Sequence, residues 1–402
     1  MTRSTAKTAA TSKARAASVR AKAWAPLPII LVIISLICPV EFSVEIGSLR
    51  FPPHRLVFLL LLPFALTRLV SRSDTQIRSF DWVIALFAIW QVTIFTYTEG
   101  QEGAIFGGSL ALEILGGYAI SRAYIRDAGT LLASLRFLFV IVILTAALAL
   151  LDTITSRYIT HEVLRSLLGG PHWGEADFRM GLIRARATFD HPIHYGSFCA
   201  GAFALLWCAE PNMTRRLIRG AVVAFATFLS LSSAPLLSVG LQITMLSWEY
   251  WTRNVAMRMH MTLATLAGLY IGISAIASRS PIQMFVTGLT FDPWTGVYRM
   301  LIWEHGLTNV WASPWTGLGL ADWDRPQWMI SSTIDAYWLV LAMRSGIPAF
   351  LLLAVAIILL VRAVMKRGAR SNDKERRRLS TGWTISLIAL CLLGTTVHFW
   401  NT

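Results

Sequence analysis

The feature that most constrains this chain is a repeated pattern of long apolar runs separated by short, arginine-rich segments. Crossing the hydrocarbon core of a bilayer takes about 20 predominantly apolar residues. Such runs lie at 25–45, 53–71, 81–98, 104–121, 131–153, 193–209, 217–231, 234–249, 260–278, 346–364 and 381–400. Backbone polar groups in lipid must be satisfied within the protein, so each run is expected to be helical. The expected fold is an all-α polytopic membrane protein with about 11 transmembrane helices, formed by a single membrane domain over residues 25–402. Composition agrees, because only 14% of the 402 residues are charged and 55% are hydrophobic, against about 25% charged in soluble domains.

The net charge of +14 invites a nucleic-acid reading, but its distribution argues for membrane topology instead. Arg3, Lys7, Lys13, Arg15, Arg20 and Lys22 precede the first run, within a basic tail (residues 1–24) expected to be disordered. Arg68, Arg72 and Arg78 form a second cluster, and Arg215, Arg216 and Arg219 another. The densest runs from Lys366 to Arg378. With a cytoplasmic N-terminus and alternating spans, every cluster falls on the cytoplasmic side, as the positive-inside rule requires. Two large loops, 154–192 and 279–333, then fall outside. Cys38, Cys199, Cys208 and Cys391 sit inside apolar runs without metal-ligand spacing, so neither a metal nor a disulfide is expected. There is no glycine-rich nucleotide fingerprint, and no cofactor is expected.

The external loops carry the charged groups that topology does not explain: Arg184 and Arg186, with His191 just beyond, then Arg299, and finally Asp335. Asp292-Pro293 reads as a helix start. Arg299 and Trp303, four apart, would share a face of the helix that follows. Trp315, Trp323 and Trp328 suit an interfacial aromatic belt. With Asp322, Asp324 and Arg325 beside them, a sugar-stacking groove is the sharper alternative. Residues 334–344 are expected to form one amphipathic helix, broken by Gly346-Ile347-Pro348. Asp335 would either cap that helix or act as a base beside the two arginines. The turn Ser230–Pro235 is either a plain connection or a broken helix that offers backbone N–H groups, with Ser232 and Ser233, to a phosphate.

The series Arg184-x4-Phe189-x-His191-Pro192, Tyr298-Arg299-x3-Trp303, Gly317-Leu318-Gly319, Asp335-x-Tyr337 and Gly346-Ile347-Pro348 resembles the O-antigen ligase and polymerase superfamily over residues 180–365. Asp335, His191-Pro192-Ile193 with Gly196, and the Leu229–Pro235 turn resemble its exopolysaccharide polymerase branch. Ala187 and Ala234 stand where that branch often has glycine, which can use positive φ, and Ala336 stands where it often has asparagine.

The resemblance implies a membrane-embedded, GT-C-like glycosyltransferase of the bacterial inner membrane, acting on a polyprenyl-diphosphate-linked oligosaccharide without a metal. Arg184 and Arg299 would hold the diphosphate, supported by Arg186, while Asp335 or His191 would orient or deprotonate the acceptor hydroxyl. Tyr337, Trp303, Trp338 and Asp324 would line the sugar site, with Ser232 and Ser233 near the phosphate. A flippase and a chain-length regulator of the same pathway are expected partners. A ligase that hands a finished glycan to a lipid or protein is the nearest alternative. A lipid-linked sugar transporter is another, but it would place charges mid-span and show paired halves. Here the runs hold few charges, Glu113 among them, and no halves match.

Overall fold

The computed structural model describes residues 24–46, 49–71, 76–169, 176–252, 293–329 and 331–398, with a few positions between 254 and 271. The N-terminal tail, Asp292 and most of the apolar run 260–278 lie outside the described residues. Apart from two short antiparallel hairpins, the described chain is helical, as expected of an all-α membrane protein.

The first helix, α1 (Leu27–Ile37), is shorter than the 25–45 run suggests. Its 11 residues span about 16 Å, roughly half a hydrocarbon core. The cause is Pro39, which disfavours helix at Cys38 before it. Cys38 is accordingly extended. A 3-10 turn (Val40–Phe42) and a hairpin of β1 (Val44–Ile46) and β2 (Leu49–Phe51) then lead into α2 (Pro53–Ser71).

The runs at 81–98 and 104–121 form one antiparallel pair, α3 (Ser79–Tyr124), folded at Gly100 with φ 63°. Glycine is suited to this corner because its backbone lies in the left-handed region. Next come α4 (Ala128–Thr155), the short helix α5 (Ile159–Leu168), and a second hairpin of β3 (Phe178–Arg179) and β4 (Leu182–Ile183). Helices α6 (Pro192–Ala209), α7 (Met213–Leu229) and α8 (Ser233–Thr252) pack against one another. They bury Tyr195, Cys199, Phe203, Leu206, Val223 and Val239 together with Leu135 and Val142 of α4.

Beyond the gap lie α9 (Pro293–Ala312), α10 (Tyr337–Arg370) and α11 (Lys374–Leu393). α10 is broken at Gly346, with φ 77° and ψ 168°. The loop after α9 fills that break: Leu318 N–H donates to the Met343 carbonyl at 2.7 Å, Gly319 N–H to Arg344 at 3.1 Å, and Ile347 N–H to Pro314 at 2.8 Å. A side chain at 346 would strike the Trp315 carbonyl, so the position needs glycine for space as well as for φ.

Among the described residues, α2, α3, α4 and α10 are long and apolar enough to cross a membrane. The helix expected over 334–344 begins later than that, at Tyr337. Ala336 is its N-cap and no side chain caps it, so Asp335 stands ahead of the helix rather than capping it.

Candidate functional site

The site is built where α7 gives way to α8. Leu231 takes a left-handed conformation, φ 43°, and breaks the helix after Leu229. The exposed ends of that break are tied down from across the loop. Ala185 N–H donates to the Leu229 carbonyl at 3.0 Å, and Arg179 Nη1 to the Leu231 carbonyl at 3.2 Å. Ser233 then starts α8, whose first-turn N–H groups cannot be bonded within the helix. Pro235 falls in that first turn, where the loss of an N–H is tolerated. Gly196 of α6 lets the break approach closely, since a Cβ there would meet the Ser230 side chain.

The segment 184–191 is held with equal firmness. The turn of the β3–β4 hairpin has Met180 and Gly181 both at positive φ, 54° and 77°, as a tight two-residue hairpin requires. Arg184 N–H extends the hairpin by donating to the Asp177 carbonyl at 2.8 Å. The buried carboxylate of Asp152 accepts from the N–H groups of Ala187, at 3.0 Å, and Arg186, at 3.3 Å. Ala187 has φ 51°, so the positive φ expected where the resembled branch carries glycine is present. Ala234 is instead helical, and the left-handed residue of that turn is Leu231.

These restraints bring three cations, two of them buried, to one narrow cleft lined by Arg179, Arg184, Ile193, Ser232, Ser233, Ala234, Thr295 and Arg299. Arg184 is 4% exposed and Arg299 9%. Arg184 pairs with Asp177 through Nη1 and donates from Nη2 to Ser232 Oγ at 2.9 Å. Among the described residues Arg299 has neither an ion-pair nor a hydrogen-bond partner. The Nε groups of both arginines are buried without an acceptor. Burial pushes the Arg299 guanidinium below its ordinary value and Arg184 adds to that, while Asp335 opposes it. An uncompensated buried ion is penalised by several kcal/mol, so an anion entering here would be bound strongly.

Asp335 is half-buried, and its field reaches both Arg299 and His194, although it forms no hydrogen bond or ion pair among the described residues. His191 is the N-cap of α6, and its Nδ1 accepts from Ile193 N–H at 3.2 Å. Burial, then the cation Arg184 and the neighbouring His194, push its pKa down to about 4, although part of the residue reaches solvent. A neutral imidazole whose Nδ1 accepts must carry its proton on Nε2. In this arrangement His191 keeps Nε2–H as a donor and has no lone pair left for base catalysis, and it stands beside the lining of the cleft rather than in it.

Arg186 stacks over the Tyr158 ring at 3.7 Å and does not line the cleft. The aromatic residues are placed elsewhere. Trp303 Nε1 donates to the Thr395 carbonyl at 2.9 Å and Trp338 Nε1 to that of Cys391 at 2.7 Å. Both indoles thus dock α9 and α10 onto the end of α11. Tyr337 packs beside Phe87, Leu341 and Ala349. Asp324 is exposed, and its backbone pairs with the Asn309 side chain.

Arg179 and Thr295 line the cleft without having been singled out in the sequence. Arg179 carried a usable signal, since it is a further cation of the 154–192 loop five residues before Arg184. His194, one turn into α6 from His191, is placed nearby. It donates from Nε2 to the His398 carbonyl at 3.1 Å and lies within the field of Asp335. No protein-family model and no curated protein matches the chain.

Proposed function

We propose that this chain is an inner-membrane glycosyltransferase of the O-antigen ligase and polymerase type, built on about 11 spans in a GT-C-like arrangement. It would polymerise polyprenyl-diphosphate-linked repeat units into exopolysaccharide, capsular or O-antigen polysaccharide on the periplasmic face. The observation that carries this reading is the pair of buried arginines, Arg184 and Arg299, at the first turn of α8. A helix N-terminus and two guanidinium groups together suit phosphate oxygens.

The position of the cleft along α6 supports access from outside. Ile193, at the start of that helix, lines the cleft. Cys208, at its other end, accepts from Arg378 of the basic run at 2.5 Å. The 18 residues of α6 separate the two ends by about 27 Å, close to the thickness of a hydrocarbon core.

In the proposed reaction the acceptor hydroxyl oxygen attacks the anomeric carbon of the donor sugar. The carbon–oxygen bond to the diphosphate breaks, and its electron pair leaves with the phosphate. Arg184 and Arg299 neutralise the charge that accumulates there, and Asp335 takes the hydroxyl proton. His191 donates from Nε2, while Ser232 keeps Arg184 aimed at the cleft. Asp152 and Arg186 position the loop. No metal is required, because the departing diphosphate is already a stabilised anion.

The direct test uses purified protein in liposomes with a polyprenyl-diphosphate-linked oligosaccharide. Glycans of increasing length and free polyprenyl diphosphate should appear together. Transfer of a single glycan to a lipid without elongation would instead identify a ligase. Topology gives a separate check. A reporter fused after Arg378 should read cytoplasmic, and one in the 279–333 loop should read periplasmic. The reverse at both positions would put the cleft on the wrong face for an exported substrate.

A further inference from the structure

Away from the cleft, a histidine and a carboxylate are buried together with almost no access to solvent. His161 of α5 is 1% exposed at its side chain and Glu41 of the 3-10 turn 0%. His161 Nδ1 lies 2.8 Å from Glu41 Oε1, and its Nε2 lies 3.1 Å from the Phe189 carbonyl. Both ring nitrogens therefore face oxygen. A carbonyl can only accept, so Nε2 must carry a hydrogen. A neutral imidazole has no second N–H for Glu41. Two hydrogen bonds consequently need one more proton than an ionised Glu41 and a neutral His161 contain.

We infer that Glu41 and His161 hold one shared proton and, through the Phe189 carbonyl, act as positioning residues for the segment that bears Arg184 and His191. This rests on the anion-site reading of that segment. Phe189 is well placed to transmit the restraint. Its N–H turns back to the Arg186 carbonyl at 2.9 Å, and its ring packs on Tyr195 and Phe198 of α6 at 5.9 and 5.3 Å.

Burial disfavours the imidazolium, with Arg186 adding to this and Glu41 and Asp190 opposing it. The arrangement without buried charge has the Glu41 carboxyl donating to Nδ1 and Nε2–H donating to Phe189, and it avoids the desolvation of two ions. Loss of the proton as pH rises has two outcomes. Either a carboxylate is left against an imidazole lone pair, or the remaining proton moves to Nδ1 and the Phe189 bond breaks. The restraint is thus present at the lower pH and lost at the higher.

Glu41→Gln provides the discriminating variant, because an amide N–H donates to Nδ1 at any pH. The full chain in lipid nanodiscs would be titrated with inorganic diphosphate from mildly acidic to mildly alkaline pH, with thermal unfolding followed in parallel. Wild type should lose affinity about five- to tenfold on alkalinisation, the scale of one buried hydrogen bond. Glu41→Gln should lack that component, and the comparison cancels the titration of diphosphate itself. Glu41→Ala should bind weakly throughout. A Glu41→Gln profile that follows wild type, in binding and in unfolding, would overturn the inference. If no protein binds diphosphate but Glu41→Gln still flattens the pH dependence of unfolding, the shared proton stands and the anion-site reading fails.

Discussion

Arg299→Ala is expected to abolish polymer formation while leaving the abundance of the protein close to normal. Few buried arginines can be removed without damage to the fold, and Arg299 is one of them for a specific reason. Among the described residues it donates to no partner, so truncation strands no acceptor and removes a desolvated charge. The loss falls on the transition state instead. A preorganised donor in a dry site is worth about 3–4 kcal/mol, or roughly 100- to 1000-fold in rate. Arg299→Lys should recover only part of this, since an ammonium cannot supply the planar fork that binds phosphate at two oxygens. Arg376→Ala is the matched control. Its side chain is 60% exposed and lies 3.9 Å from Asp373, a surface pair of little energetic weight. Polymer yield and chain length on gels, with immunodetection of the protein, would decide the matter. Full activity in Arg299→Ala would remove this residue from the site.

Asp335→Asn should leave lipid-linked single repeats accumulating while long polymer disappears. Asn caps a helix about as well as Asp, and Asp335 does not cap α10 in any case. The substitution therefore isolates charge and basicity from structure. Asp335 is the carboxylate whose field holds the Arg299 guanidinium up against burial. Its neutralisation leaves the two arginines facing each other without that counterweight, in addition to removing the proposed proton acceptor. Polymer of normal length in Asp335→Asn would exclude both roles. Asp335→His restores a base without the negative charge. Normal polymer from that variant would show that proton acceptance matters at this position and that the charge does not.

Much of the architecture was legible because hydrophobic length is a strong signal. The bounds of α2 coincide with the apolar run 53–71, the fold at Gly100 falls in the gap between the runs 81–98 and 104–121, and the break in α10 falls at Gly346. The run at 25–45 misled because it is mostly apolar, and apolarity does not show where a proline ends a helix. The convergence of Arg184, Ser232, Ser233 and Arg299 followed from motif order and loop placement. The packing of the aromatic residues was not legible. Trp303 and Trp338 share faces with promising neighbours, but an indole N–H in an apolar setting seeks a carbonyl, and the nearest lie at the end of α11. That destination depends on tertiary packing across some 50 to 90 residues, which no local pattern encodes. The same holds for Asp152 and Glu41, which pin the site segment from distant elements.

The break in α10 bears on how the chain is assembled. The carbonyls of Met343 and Arg344 are satisfied by Leu318 and Gly319, and the N–H of Ile347 by Pro314. Unsatisfied in hydrocarbon, each would cost several kcal/mol. All three partners lie upstream, so a ribosome completes them before the segment that needs them. α10 can therefore settle against a brace already synthesised. A deletion that shortened the 313–319 stretch would consequently show itself first in insertion and turnover of the nascent chain, before any assay of the mature protein.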